Sequence, residues 1–163
     1  NPHKLWYRDG AKDLALNPDD RYHLNYATFV EGDGSGREGT ILCSALNYGV
    51  FLVDMATEEI TREFTDLDEC HNPRQLDDRL VVPESGADRV VAVDWEERQG
   101  TLFEGGMDFV KDADPIDDDR WLVTDTRNYR VLVWTEGEPA PDREFFLGQD
   151  ANPYEADFLP GSR

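Results

Sequence analysis

The sequence predicts an all-β chain, a β-propeller of four-stranded antiparallel blades with about three to four blades in its 163 residues. Two observations carry this. A block of roughly 40 residues recurs, and within each block short β-branched or aromatic runs alternate with turn residues, with no sustained helical period. Blades of this kind bury both faces against their neighbours.

The repeat is clearest when residues 79–95, RLVVPESGADRVVAVDW, are set over residues 120–136, RWLVTDTRNYRVLVWTE, at an offset of 41. Arg79 then lies over Arg120, Glu84 over Asp125, Ser85 over Thr126 and Arg89 over Arg130, followed by matched apolar positions. An earlier copy, TILCSALNYGVFLVDM at 40–55, fits at an offset of 39 with fewer polar matches.

Taken in order, the first blade (22–67) opens on HLNYATFV and closes on TREFT; the segment GDGSGREG, 32–39, reads as a hairpin insertion, its glycines lacking the strand-to-helix setting of a phosphate loop. The second blade (70–106) opens on HNPRQL and closes on GTLFE, and the third (110–148) opens on KDADPI and closes on REFFL. In the third, WLVTD and RVLVW are strands joined by TRNY. Asp125, Thr126, Asn128 and Arg130 cluster at this turn, where short polar side chains bond nearby amides and an arginine ties to a carboxylate. Asp117, Asp118 and Asp119 form a solvated hairpin turn without the spacing of a calcium loop. YEADFLP begins a further copy at 153–160. Three repeats do not close a ring. Closure is expected from a longer polypeptide, from a protein partner or homo-oligomer, or from the N-terminal stretch HKLWYRDGAKDLAL combined with YEADFLP.

Charge narrows the function classes. Acids number 36 against 16 lysines and arginines, giving a net charge of −20 and a pI near 4.3. Such a surface repels phosphate backbones, so nucleic acid is not an expected partner. Lysine occurs only at Lys4, Lys12 and Lys111. Abundant short carboxylates with few lysines read as adaptation to high salt. No run approaches the roughly 18 apolar residues of a membrane helix, so this chain is expected to be soluble and not to insert into a membrane. Cys43 and Cys70 read as buried thiols, or as a Cys43–Cys70 bridge in an exported protein.

Chemistry is expected where the first strands of the blades converge on the axis. By the repeat those entrances hold His23 and Asn25, His71 and Asn72, Lys111 and Asp112, and Tyr154 and Glu155. Two of the three histidines share this position; His3 has no such context. Imidazoles, an amide and an ammonium around one channel would suit a small anion. A histidine there could instead simply bond a neighbouring carbonyl. The spacing gives no support for a metal site.

The ordered segments HNPRQL, LVVPESGADRVVAVD, KDADPIDDDRWLVTDTRNYRVLVW and PYEADFLP resemble the C-terminal half of the arylsulfotransferase-like β-propeller proteins of salt-loving archaea. Single blades also resemble NHL-type propellers. The first resemblance implies transfer of a sulfuryl group between phenolic compounds through a covalent sulfohistidine, with no cofactor or metal, in an extracellular or cell-surface protein. It implies His71 as the nucleophile, with His23 and Asn25 as a second His-x-Asn pair; Lys111 is a candidate cation for the sulfuryl oxygens. Two departures stand out: Leu46 replaces the family's sulfate-binding arginine, and Cys70 replaces a glutamine. A non-catalytic propeller serving as a surface, assembly or ligand-binding module is the alternative.

Salt adaptation makes a direct prediction: the thermal unfolding midpoint should rise as KCl is raised from low to molar concentration, and a flat response in a melting series would remove it.

Overall fold

The computed structural model describes residues 24–30, 39–46, 48–76, 79–96 and 99–157. They form three four-stranded antiparallel sheets, each a simple meander of consecutive strands. The first holds β1 (Leu24–Phe29), β2 (Thr40–Ala45), β3 (Gly49–Asp54) and β4 (Glu59–Phe64). The second holds β5 (Arg74–Gln75), β6 (Arg79–Glu84), β7 (Arg89–Asp94) and β8 (Gln99–Glu104), and the third β9 (Val110–Pro115), β10 (Arg120–Asp125), β11 (Arg130–Thr135) and β12 (Arg143–Phe146). The chain is all-β, and the sheets are successive propeller blades, each packed face to face on the next. His3, the insertion at 32–38 and the N-terminal stretch lie outside the described residues.

Alternation along the strands sets the packing. In blade 3 Trp121, Val123, Leu132 and Trp134 point towards blade 2, where they meet Val81, Val90 and Phe103. The rings of Phe103 and Trp134 lie 5.3 Å apart and those of Phe103 and Trp121 6.2 Å. Between blades 1 and 2 the corresponding layer is smaller-grained: Leu42, Val50 and Leu52 against Leu80, Val82, Val91 and Val93. Both layers are apolar and buried, and burying a side chain of this size contributes about 1.5–3 kcal/mol.

The matched polar residues of the repeat do the structural work expected of them. Asp125, fully buried, accepts from the Asp108 amide at 2.7 Å, from Asn128 at 2.9 Å and from Arg130 Nε at 2.7 Å. Glu84 repeats this one blade earlier, accepting from the Asp68 amide at 2.8 Å and from Arg89 Nε at 2.6 Å. Each carboxylate thus fixes the loop that enters its own blade and the turn that follows β6 or β10. Asp117 accepts the Arg120 amide and guanidinium across the acidic hairpin turn.

Blade 1 breaks the pattern. Ala45 pairs with Gly49, whereas Glu84 pairs with Arg89 and Asp125 with Arg130, so the first turn is one residue shorter and has neither carboxylate nor arginine. Gly49 has φ near 119°, and a Cβ there would stand 2.1 Å from the Phe64 carbonyl oxygen. Only glycine fits.

Cys43 and Cys70 are free and buried, so there is no bridge between them. Burial pushes the Cys43 thiol up to about 12 and raises Cys70 as well, leaving both as inert apolar groups at neutral pH.

Removing the Arg130 guanidinium leaves the Asp125 carboxylate buried beside fewer donors. Arg130→Met should cost about 3 kcal/mol in denaturant unfolding, while Arg120→Met, at the exposed hairpin, should leave the midpoint almost unmoved.

Candidate functional site

Register defines which entrance residues are equivalent. In blade 3 Val110 pairs with Asp125 and Asp112 with Thr124, so Lys111 is the extra residue of a bulge. In blade 1 Leu24 pairs with Ala45 and Tyr26 with Ser44, making Asn25 the extra residue. In blade 2 Cys70 bridges Glu84, which places His71 at the same position. The match of His23 with His71 is therefore corrected: the residue level with His71 is Asn25. The bulge adds a residue whose phase sequence identity cannot reveal. His23 itself lies outside the described residues, so its place relative to His71 is undescribed.

The equivalence extends to the segment after β12. The Ser85 hydroxyl donates to the Val110 carbonyl, and the Thr126 hydroxyl donates to the Pro153 carbonyl at 2.8 Å. Pro153 thus stands where Val110 does, and Tyr154 where Lys111 does. Blade 1 has Leu46 in place of the hydroxyl, and there Asn25 Nδ2 donates to the Cys70 carbonyl at 3.0 Å, the same acceptor reached from a different residue. Asn25 supplies the latch that Leu46 cannot, so this amide hydrogen is committed to joining blades 1 and 2.

His71, 5% exposed, is held by polar and aromatic contacts. Its Nδ1 lies 3.0 Å from the Glu69 carbonyl and 2.8 Å from Ser85 Oγ. A carbonyl only accepts, and the single Ser85 proton is given to Val110, so Nδ1 carries the proton towards both oxygens. In the neutral ring the lone pair is then on Nε2. Phe109 and Tyr154 meet the imidazole in T-shaped contacts, their ring centroids 5.6 and 6.1 Å from its own. Phe109 is held by its amide, which donates to Asp88 at 2.6 Å, and its φ of 63° aims the ring at this cluster. Ser85 and Phe109 carry the histidine's orientation; the alignment of Ser85 with Thr126 was their only sequence signal.

Lys111 stands over both aromatic rings, its Nζ 3.9 Å from the Tyr154 centroid and 5.3 Å from that of Phe109. Arg127 stacks on Phe109 at 4.0 Å. Burial first, then the nearby Arg127 charge, lowers the Lys111 pKa from its ordinary value. Although acids dominate this chain, Lys111 forms no ion pair among the described residues. An ammonium resting on aromatic faces keeps its charge available to a ligand.

Beside this cluster lies an acidic one. Arg74 reaches Asp112 at 3.3 Å, Asp114 at 3.1 Å, Glu155 at 3.9 Å and Asp157 at 3.8 Å. Burial raises the Asp112 carboxyl above the usual range, partly offset by Arg74 and by the Ala156 amide. The electrostatics therefore divide: Lys111 and Arg127, the latter paired with Asp108 at 3.5 Å, beside the neutral His71 on one side, an arginine outnumbered by carboxylates on the other. An anion is favoured only on the first side. No group of acids, histidines and cysteines suited to a metal ion occurs among the described residues.

No family model matches the chain, and neither does any curated protein. Among solved structures the chain is similar to the N-terminal domain of Nup159 and to a Saccharomyces cerevisiae structure of Dbp5 bound to Nup159, Gle1, IP6 and ADP. In both cases identity is 15%, the TM-score is 0.47, and the match covers 78% of this chain and 32% of the other, so the chain spans about a third of their length.

The Asn25 latch is testable by suppression. Asn25→Ala should cost about 1 kcal/mol in unfolding, and adding Leu46→Thr, which restores the hydroxyl of the other blades, should recover part of it. Recovery of nothing would show that the Cys70 carbonyl does not need this donor.

Proposed function

We propose that the chain is part of an arylsulfotransferase-like propeller in which His71 Nε2 carries a sulfuryl group between phenolic compounds. The observation that supports this most is the fixed Nδ1–H of His71, which leaves the nucleophilic lone pair on Nε2. In the first step that lone pair attacks the sulfur of an aryl sulfate, the sulfur–oxygen bond to the ring breaks, and the phenolate departs. In the second step an acceptor phenol oxygen attacks the sulfohistidine, the nitrogen–sulfur bond breaks to return the lone pair to Nε2, and solvent takes the acceptor's proton as it supplies one to the released phenolate. Lys111 is the cation positioned to offset the charge on the sulfuryl oxygens, in place of the arginine that Leu46 replaces. Asn25 contributes through the blade joint, by way of the Cys70 carbonyl next to His71.

One observation favours a non-catalytic, ligand-binding module instead: the imidazole is almost wholly buried and bonded to a neighbouring carbonyl, as a purely structural histidine would be. The two readings part in one assay. Transfer from p-nitrophenyl sulfate to phenol in molar KCl should proceed and fall to background in His71→Ala. Lys111→Met should lose about 100-fold in kcat/KM, and Lys111→Arg should restore much of it. Absence of turnover in a folded protein that still binds the aryl sulfate would decide for the binding module.

A further inference from the structure

The basic side of the axial cluster carries more charge than one sulfuryl group needs. Lys111 and Arg127 rest on the same ring, Nζ 5.3 Å and Cζ 4.0 Å from the Phe109 centroid. In a chain with 36 acids against 16 lysines and arginines, two cations sharing one ring run against the surrounding field. Their nearness is unfavourable, since the Arg127 charge helps burial to lower the Lys111 pKa. Lys111 forms no ion pair among the described residues, and Arg127 has a long one, 3.5 Å to Asp108, with the two side chains 61% and 50% exposed. A pair of that kind contributes little. Apolar surface lies beside the charges: Tyr154 is 43% exposed and Phe109 is only partly buried. The complement of such a surface is a flat apolar body with two anionic groups. A guanidinium resting its face on a ring keeps the N–H groups at its edges for the two oxygens of one carboxylate.

We propose that the ligand of this site is an aromatic dianion: Lys111 takes the first anionic group, the sulfate of the transfer reading, and Arg127 takes a carboxylate on the same ring. The proposal rests on this cluster being the ligand site of the propeller, and it adds the substrate class, ring-carboxylated aryl sulfates in preference to simple ones. Arg127 is then a specificity-determining residue away from the sulfur. Its contact is the same before and during transfer, so it acts on KM and leaves kcat alone. Asp108 is the competitor that the ligand's carboxylate displaces.

Aryl sulfonates test this without turnover, because their sulfur is bonded to ring carbon and is not transferred. Isothermal titration of the full chain with 4-sulfobenzoate and with benzenesulfonate, at the lowest KCl that keeps it folded, should give a Kd about tenfold lower for the dianion. Arg127→Met should abolish that difference with the melting temperature unmoved, and Asp108→Asn, which removes the competing carboxylate, should widen it. Equal affinities, binding of neither sulfonate, or a difference that survives in folded Arg127→Met overturns the proposal. The aryl sulfate assay keeps the two readings apart: sulfuryl transfer without the preference removes only the dianion, and the preference without transfer removes only the transfer.

Discussion

A buried carboxylate at the end of the second strand of a blade must be satisfied, and the rest of the molecule is arranged around that need. Glu84 and Asp125 leave water almost entirely, which is tolerable only with several charge-assisted hydrogen bonds. Their donors come from two directions, an arginine on the next strand and an amide of the loop before the blade's first strand. That loop delivers the chain to the axis. Residues 69 and 109 take left-handed backbone angles as they emerge from it. His71 and Lys111 follow two residues later, so the geometry of the candidate site is inherited from the carboxylates.

The hydroxyl next to each carboxylate adds the second constraint. Ser85 and Thr126 hold the first strand of the following blade by its entrance carbonyl, which converts a series of sheets into a ring segment of fixed pitch. Ser85 does this while also receiving the His71 proton, and so couples blade 3 to the tautomer of a histidine in blade 2. Where the turn of the first blade has no carboxylate, arginine or hydroxyl, the glycine turn at Gly49 and the Asn25 amide take over. The loss of polar matches in that copy is a change of mechanism at one joint, with the blade geometry retained.

Much of the fold was legible in the sequence. Offsets of 41 and 39 placed the strands of all three blades, because alternating apolar residues and turn chemistry are local properties. The carboxylate and arginine roles at Glu84, Arg89, Asp125 and Arg130 were legible for the same reason: a turn brings such pairs together whatever lies beyond it. The equivalence of entrance residues was not legible. A bulge shifts the phase by one residue, and two histidines at similar distances from their blades suggested a match that strand pairing assigns to Asn25 and His71.

By itself, then, the sequence determined the all-β architecture, the repeat, the acidic surface and the short list of polar residues near the axis. All of these follow from periodicity, composition and contacts between residues close in the chain. Tertiary structure decided what each of those residues does: that the Nδ1 of His71 is a donor, that Asn25 serves a joint and that Lys111 lies on aromatic rings. These depend on residues 14 to 45 positions apart meeting across strands and blades, where one hydrogen bond outweighs any local preference.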